Sequence, residues 1–78
     1  MIRFSELIKT MDMYEEVRIV VMQASPHELY EGKLGKMSLM TYMRAKDMFV
    51  YSIAAASVEE EIDCYTSFLN IAVKEVEG

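Results

Sequence analysis

The 78-residue chain has few side chains that could serve as a nucleophile or a general base. His27 is its only histidine, and the nearest hydroxyl belongs to Ser25, on the other side of Pro26. Catalysis by a nucleophile needs a base held against it, whereas a Ser-Pro-His sequence is typical of a turn with a solvated histidine. Cys64 is flanked by Asp63, and an acidic neighbour disfavours the reactive thiolate. We therefore expect a protein that is not an enzyme.

Metal and phosphate chemistry is also poorly represented. One cysteine and one histidine cannot close a zinc site, which normally has four ligands. The acidic run of residues 59–63 could attract a hard cation, but it lacks the glycine-bearing spacing of an EF-hand loop. Residues 32–36 combine glycine and lysine without the spacing of a phosphate-binding loop. The sequence predicts neither a cofactor nor a metal.

The negative charge is concentrated in the second part of the chain. Residues 1–47 carry equal numbers of acidic and basic side chains, so the net charge of −5 arises entirely from residues 48–78. An acidic surface repels phosphates, which argues against direct binding to nucleic acid. It suits a protein partner with a basic surface instead.

Two interpretations of the acidic run remain open. It is either a solvated turn, or part of one negative patch with Glu75, Glu77 and the pair Glu15/Glu16. Carboxylates accept paired hydrogen bonds from arginine, and tyrosine often anchors interfaces. A net charge of −5 is low for a mimic of DNA. The candidate partner-binding residues are Glu59, Glu60, Glu61, Asp63, Glu75 and Tyr65.

Two short helices are predicted before residue 48. An apolar side chain recurs every three or four residues from Phe4 to Tyr14, which indicates a first helix that Ser5 can cap. Ser38 can cap a second helix, in which Leu39, Met40 and Met43 are expected to face inward, with Tyr42 as a further candidate.

Strands are predicted from β-branched and aromatic runs. Residues 17–23 are apolar on both faces except for Arg18, so we expect this strand inside the sheet. Ser25–Glu28 fits a turn that leads into a return strand over residues 29–34. The same four residues also fit the start of a helix with proline at its first position.

The longest nearly uncharged run, Met48–Ala56, predicts a central strand, because the face of Val50, Ser52, Ala54 and Ala56 is small enough for close packing. Residues 57–63 are expected to be an acidic connection. The last strand is predicted over residues 68–74, with Leu69, Ile71 and Val73 buried. Whether residues 62–65 extend that strand back into a long hairpin is open.

These elements predict one α+β domain over residues 1–78, a mostly antiparallel sheet of about four strands with two short helices on one face. A chain this short has a thin core, and its single cysteine cannot form an internal disulfide. A homodimer is one way to support such a core, formed through a sheet edge or through Met40 and Met43. No apolar run approaches the ~20 residues of a membrane span, so the default location is the cytoplasm.

Three segments carry a resemblance to known proteins: residues 4–8 (FSELI), residues 14–20 (YEEVRIV) and residues 29–33 (LYEGK). In this order they resemble a loose group of small proteins from phages and mobile elements of gut Firmicutes. The resemblance implies an accessory protein in the cytoplasm of the bacterial host, and the group has no catalytic signature. Some phage proteins of this size inhibit host defence, anti-CRISPR proteins among them.

The main functional hypothesis is therefore an acidic inhibitor that occludes a basic, nucleic-acid-binding host protein such as a CRISPR effector. The alternative is a structural or regulatory homodimer with no inhibitory target.

Overall fold

The computed structural model describes residues 2–62 and 64–75, with the backbone alone at Glu60. It has α+β architecture, with a four-stranded sheet and two short α-helices. The elements in chain order are α1 (Phe4–Ile8), β1 (Glu16–Val21), β2 (His27–Lys33), a 3₁₀ turn (Leu34–Lys36), α2 (Leu39–Ala45), β3 (Phe49–Glu61) and β4 (Cys64–Lys74).

The sheet is mixed, with the strand order β2-β1-β4-β3. β1 pairs with β2 and β4 pairs with β3 in antiparallel fashion, while the inner pair, β1 and β4, is parallel. In that parallel pair Val17 lies opposite Leu69, and Val21 lies opposite Val73. The predicted inside position of β1 is confirmed.

The prediction that residues 48–56 form a central strand is wrong, because β3 is an edge strand. The central position belongs to β4, whose Ile71 lies opposite Ile19 on one side and Ile53 on the other. An uncharged run is compatible with either place. Here the face that holds Ser52 and Ala54 is left uncovered, since both side chains are exposed.

Residues 22–26 form the turn between β1 and β2, so the alternative of a helix start at Ser25 is wrong, and the turn lies slightly earlier than Ser25–Glu28 because His27 and Glu28 already belong to β2. β2 begins at His27 and returns along β1 as a hairpin, with one extra residue on β2 at a bulge opposite the Ile19–Val20 step. Gly32 near its end has φ = 144°, a conformation that side-chain-bearing residues rarely adopt.

The hydrophobic core combines one set of alternate strand residues with the helices. Its fully buried side chains are Phe4, Val17, Ile19, Val21, Ile71 and Val73. α1 joins this core through Phe4 and Leu7, and it is tied to the α2–β3 connection because the Phe4 amide donates to the Met48 carbonyl at 2.9 Å. Burial of this apolar surface is the main force holding the small domain together.

The predicted cap and apolar stripe of the first helix need correction. Arg3, not Ser5, occupies the position before the helix, and its side chain makes no capping hydrogen bond. Ser5 lies inside α1, where its amide donates to the Lys46 carbonyl at 3.1 Å. Tyr14, at the end of the predicted stripe, is 80% exposed because the helix ends at Ile8 and the chain turns before β1.

In α2 the cap is confirmed, and of the four residues expected to face inward only Tyr42 does so. The Ser38 hydroxyl accepts from the Thr41 amide at 3.2 Å. A helix of only seven residues buries one narrow side, and here that side holds Tyr42 and Ala45. The apolar side chains that project into solvent instead are Leu39, Met40 and Met43.

β3 and β4 form one long hairpin, so the prediction of an acidic connection over residues 57–63 is also wrong. Residues 57–61 belong to β3, Glu59 lies opposite Tyr65, and Glu61 lies opposite Cys64. β1 accompanies β4 only from Leu69 onward. Residues 56–61 and 64–68 therefore pair only with each other and form a projection, here called the arm, on a molecule that measures 47 × 27 × 21 Å.

Candidate protein-binding surface

The arm displays large apolar side chains next to carboxylates. Tyr65 is 63% exposed, Val58 is 52% exposed, and Ile62 in the turn at its tip is 90% exposed. The side chains of Glu59 and Glu61 are exposed among them. The arm is long because β3 and β4 remain extended and paired beyond the point at which β1 begins. The arm therefore lacks the strand β1, which lies beside the rest of β4.

Alternation along the two strands defines one face of the arm. Ala55, Ser57 and Glu59 of β3 lie opposite Leu69, Ser67 and Tyr65 of β4, and these residues continue the face on which Ile71 and Val73 are buried. A cavity of about 300 Å³ lies where this face meets the loop before β1. The residues that line it are Tyr14, Glu15, Glu16, Ala55, Ser67, Phe68 and Leu69.

We define the arm surface as Tyr14, Glu15, Glu16, Glu59 and Tyr65. Its base is formed by the loop before β1, and its outer part by the Glu59–Tyr65 cross-strand pair. Glu59 and Tyr65 share one face of the arm, and Tyr14, Glu15 and Glu16 line the cavity at its base. Such a surface can accept charge-assisted hydrogen bonds and provide amphipathic anchors to a basic partner.

The loop that carries Tyr14 and Glu15 is held by backbone hydrogen bonds. The Tyr14 amide donates to the Asp12 carboxylate at 2.8 Å, which is typical of an aspartate-stabilised turn. The Glu15 carbonyl accepts from the Leu34 amide at 2.9 Å, and the Met13 carbonyl accepts from the Gly35 amide at 2.8 Å. The 3₁₀ turn after β2 therefore fixes the base of the arm surface in place.

The charge changes sign on the other side of Tyr14. A second cavity of about 270 Å³ is lined there by Met13, Lys33, Gly35 and Lys36 together with Tyr14. The lining of this cavity therefore carries two lysines, whereas that of the cavity at the base of the arm carries Glu15 and Glu16. The two ion pairs found within residues 2–62 and 64–75 are Arg3–Asp47 and Arg18–Glu28, so neither uses a carboxylate of the arm surface.

The structure brings together some of the predicted partner-binding residues and separates others. Tyr65 lies beside Glu59, and Glu61 is one cross-strand pair farther toward the tip. Glu75 follows the opposite end of β4, an 11-residue strand that spans roughly 35 Å. It lines a cavity with Met43, Arg44, Asp47 and Met48, so it does not share a patch with the arm. Asp63, Glu77 and the side chain of Glu60 lie outside the described residues.

Tyr14 is one of the five tyrosines that could anchor an interface, but it is not among the six candidate partner-binding residues. Its spacing also fits the apolar stripe of the first helix, which predicts burial. The signal that could have identified it is its position directly before Glu15 and Glu16, since an aromatic side chain in a polar loop next to carboxylates is typical of an exposed binding segment.

Met40 and Met43 lie on a separate surface. Both project from α2 near Leu39, and Met43 also lines the cavity that contains Glu75. This apolar group is adaptable, because methionine is flexible and polarizable.

The residues considered for catalysis and metal binding are dispersed at the surface. His27 and Cys64 are exposed on different strands. In the described ranges no cluster of three or more His, Cys, Asp or Glu side chains could hold a metal ion, and no polar or charged side chain is buried.

No protein-family model matches the chain, and neither the curated proteins nor the solved structures gave a match. Within the part of the chain that the structure describes, every helix is too short or too polar to cross a membrane.

Proposed function

We propose that this protein is a non-enzymatic accessory protein of a phage or mobile element, and that it binds and occludes a basic, nucleic-acid-binding protein in the cytoplasm of its bacterial host. The observation that carries the proposal is the arm surface, where the exposed Tyr65 lies beside Glu59 on a projection and the exposed Tyr14 lies beside Glu15 at its base. The mobile-element origin, and a CRISPR effector as one kind of target, come from the resemblance of the three short segments alone.

The shape of the arm suits insertion into a groove. Its paired strands extend beyond the first residues of β1 by roughly 15–20 Å, from ~3.3 Å per residue. We infer that the two helices lie on one face of a mostly antiparallel sheet and that their cover ends before the arm begins. Both faces of the arm, and Ile62 at its tip, then remain available to a partner.

The chemistry of the arm surface suits arginine. A guanidinium group binds a carboxylate through two parallel hydrogen bonds and also stacks on aromatic rings. Glu59 beside Tyr65, and Glu15 beside Tyr14, provide such a combination twice. Arginines occupied in this way cannot contact phosphates or bases, which is how the proposed inhibitor acts.

A titration with an oligo-arginine peptide, followed by ¹⁵N NMR at low ionic strength, tests the location of the surface. We expect the largest shift changes at residues 14–16, 57–61 and 64–67. The variant E59Q/E61Q should weaken binding, and E6Q/E31Q is its matched control, because it removes the same charge at exposed sites on α1 and β2. Equal weakening by both variants would show that only net charge matters and would reject the arm surface.

The inhibitory function needs a second experiment. Tagged protein is used for capture from a gut Firmicutes lysate at low and at high salt, with the acidic-run variant E59Q/E60Q/E61Q/D63N in parallel. A captured basic protein must then lose its binding to nucleic acid when the purified chain is added. Unchanged nucleic-acid binding would reject inhibition even if the capture were reproducible.

A second candidate function is a structural or regulatory homodimer without an inhibitory target. The observation that favours it is the exposure of three large apolar side chains on α2, at Leu39, Met40 and Met43. Sedimentation velocity of M40E/M43E tests it, since charge at these positions should abolish self-association through α2 while E59Q/E61Q should leave it unchanged.

A further inference from the structure

We propose that the free edge of β3 pairs antiparallel with the β3 strand of a second copy, so that two four-stranded sheets join into one continuous sheet of eight strands. The pairing does not depend on the arm surface binding a host protein. It also assigns self-association to a different surface from α2.

The first residues of β3 are already paired at this edge, with residues 2 and 3. The Val50 amide donates to the Ile2 carbonyl at 2.9 Å, and Arg3 forms a bridge with Phe49. Among the described residues, no further bridge occupies this side of β3 after Val50. From Tyr51 onward the backbone donors and acceptors on this side are therefore open to another strand.

The two edges of the sheet differ in their protection. β2 is short and bulged, and four of its seven residues are ionisable (His27, Glu28, Glu31 and Lys33). Charges and bulges of this kind discourage edge-to-edge pairing. β3 has 13 residues, and from Phe49 to Val58 it carries no charge and no proline. Only β3 has the length and composition of an edge that accepts a partner strand.

The register of the β3–β3 pair is selected by the position of charged side chains and by the backbone groups that are already hydrogen-bonded. The regular part of the free edge lies between bulges at Tyr51 and Glu60. An antiparallel pair with Ala55 on the two-fold axis aligns residues 52–58 with residues 58–52 of the second copy. The two registers with the axis one residue away are less favourable. With the axis at Ala54, Val58 would lie opposite Val50, whose amide already donates to the Ile2 carbonyl. Moving the axis to Ala56 places the Glu59 carboxylate opposite Ile53.

This register is self-complementary in its apolar side chains. Lys74 lies on the same face of β4 as Thr66, which is opposite Val58. The Lys74 ammonium is 5.9 Å from the Tyr51 ring centroid, so Tyr51 and Val58 share a face. They are 58% and 52% exposed, and in the pair Val58 of each copy lies beside Tyr51 of the other. No like charges oppose each other across residues 52–58.

The size of the contact sets its strength. Seven paired residues with their side chains bury less than the ~1,200 Å² of a standard interface. We therefore expect a dimer that dissociates in the micromolar range and assembles with increasing protein concentration.

The wild-type protein itself provides the first test. Cys64 is the only cysteine and is exposed, so it can carry a nitroxide label. With Ala55 on the axis, the two labels should lie roughly 40 Å apart, from ~3.3 Å per residue and ~4.8 Å between strands. Sedimentation equilibrium should show a monomer–dimer equilibrium. A protein that stays monomeric into the millimolar range, or a dimer with labels closer than ~25 Å, overturns the proposal.

A charge exchange then tests the register. Residue 54 of one copy lies opposite residue 56 of the other, so A54K/A56K sets lysine against lysine and should abolish the dimer. A54K/A56E sets lysine against glutamate and should restore it to within about threefold of the wild-type dissociation constant, because opposite-charge cross-strand pairs are favourable.

Thr66→Lys is the matched control, since it adds a charge on β4, one strand away from the edge, and should leave the dimer intact. Circular dichroism verifies that each variant is folded. Loss of the dimer in M40E/M43E, with A54K/A56K unaffected, would assign self-association to α2 and reject the β3 edge.

Discussion

Substitution of Ile71 by alanine is the perturbation whose cost the structure defines best. Ile71 is fully buried in the central strand, with Ile19 and Ile53 on its two sides. Truncating a fully enclosed isoleucine costs 2–5 kcal/mol, and we expect about 3 kcal/mol, because neighbours on both strands limit collapse of the cavity. A domain of this size has a free energy of unfolding of roughly 4–12 kcal/mol, so the variant loses a quarter or more of it.

Tyr65→Ala, in the same strand, is the matched comparison. Tyr65 is 63% exposed on the arm, so its truncation should cost less than about 1 kcal/mol. Urea unfolding followed by far-UV circular dichroism measures both variants. With a slope near ~1 kcal/mol per molar urea, Ile71→Ala should lower the midpoint by about 3 M and Tyr65→Ala by less than 1 M. Similar midpoints for the two variants would refute the division of β4 into a buried half and an exposed half.

Three further outcomes follow from local geometry. Gly32→Ala should destabilise the protein by about 1–2 kcal/mol in urea unfolding, because φ is 144° there and an added Cβ would lie 3.0 Å from the Tyr30 hydroxyl; an unchanged midpoint would contradict it. Ser38→Ala should cost about 1 kcal/mol through loss of the α2 cap, and Ser38→Thr should recover most of it. Amide hydrogen exchange should be faster in residues 57–61 than in residues 71–73, since the former lack a third strand; equal protection would show that the arm is covered.

Local patterns were sufficient to predict the elements themselves. The β-branched run of β1, the Ser-Pro turn before β2 and the Ser38 cap of α2 each depend on neighbours in sequence, and the structure confirms all three. The alternation that buries Ile71 and Val73 is local in the same sense. The α+β class follows from these elements.

Long-range relations were not predictable in the same way. Whether β3 is an edge or a centre depends on where β4 inserts, and an uncharged sequence is compatible with both. Glutamate is uncommon in strands, so residues 57–61 favour a connection by composition, but they lie opposite Tyr65 and its neighbours in a two-stranded arm, where the described side chains of Glu59 and Glu61 are exposed. A charged side chain costs little free energy at such a solvent-exposed position. The tertiary position of these residues therefore outweighs the low strand propensity of glutamate.

The candidate site illustrates the same limit. Glu59 and Tyr65 are six residues apart in sequence and become a cross-strand pair only through the hairpin register. Glu75 shares their charge but lies at the far end of the strand. Tyr14 reaches the arm because the 3₁₀ turn holds its loop, a contact that no spacing within residues 4–14 indicates.

The position of β4 has a consequence for biosynthesis. β1 emerges from the ribosome early, but one of the two strands beside it in the finished sheet, β4, is synthesised only after β3. Until residues 69–73 are available, β1 and β2 can form only an isolated hairpin, which is marginally stable in water. The nascent chain therefore acquires its core late and in one step. A ribosome stalled before residue 69 should hold a protease-sensitive chain, whereas one stalled after an added C-terminal linker that carries β4 out of the exit tunnel should hold a folded one.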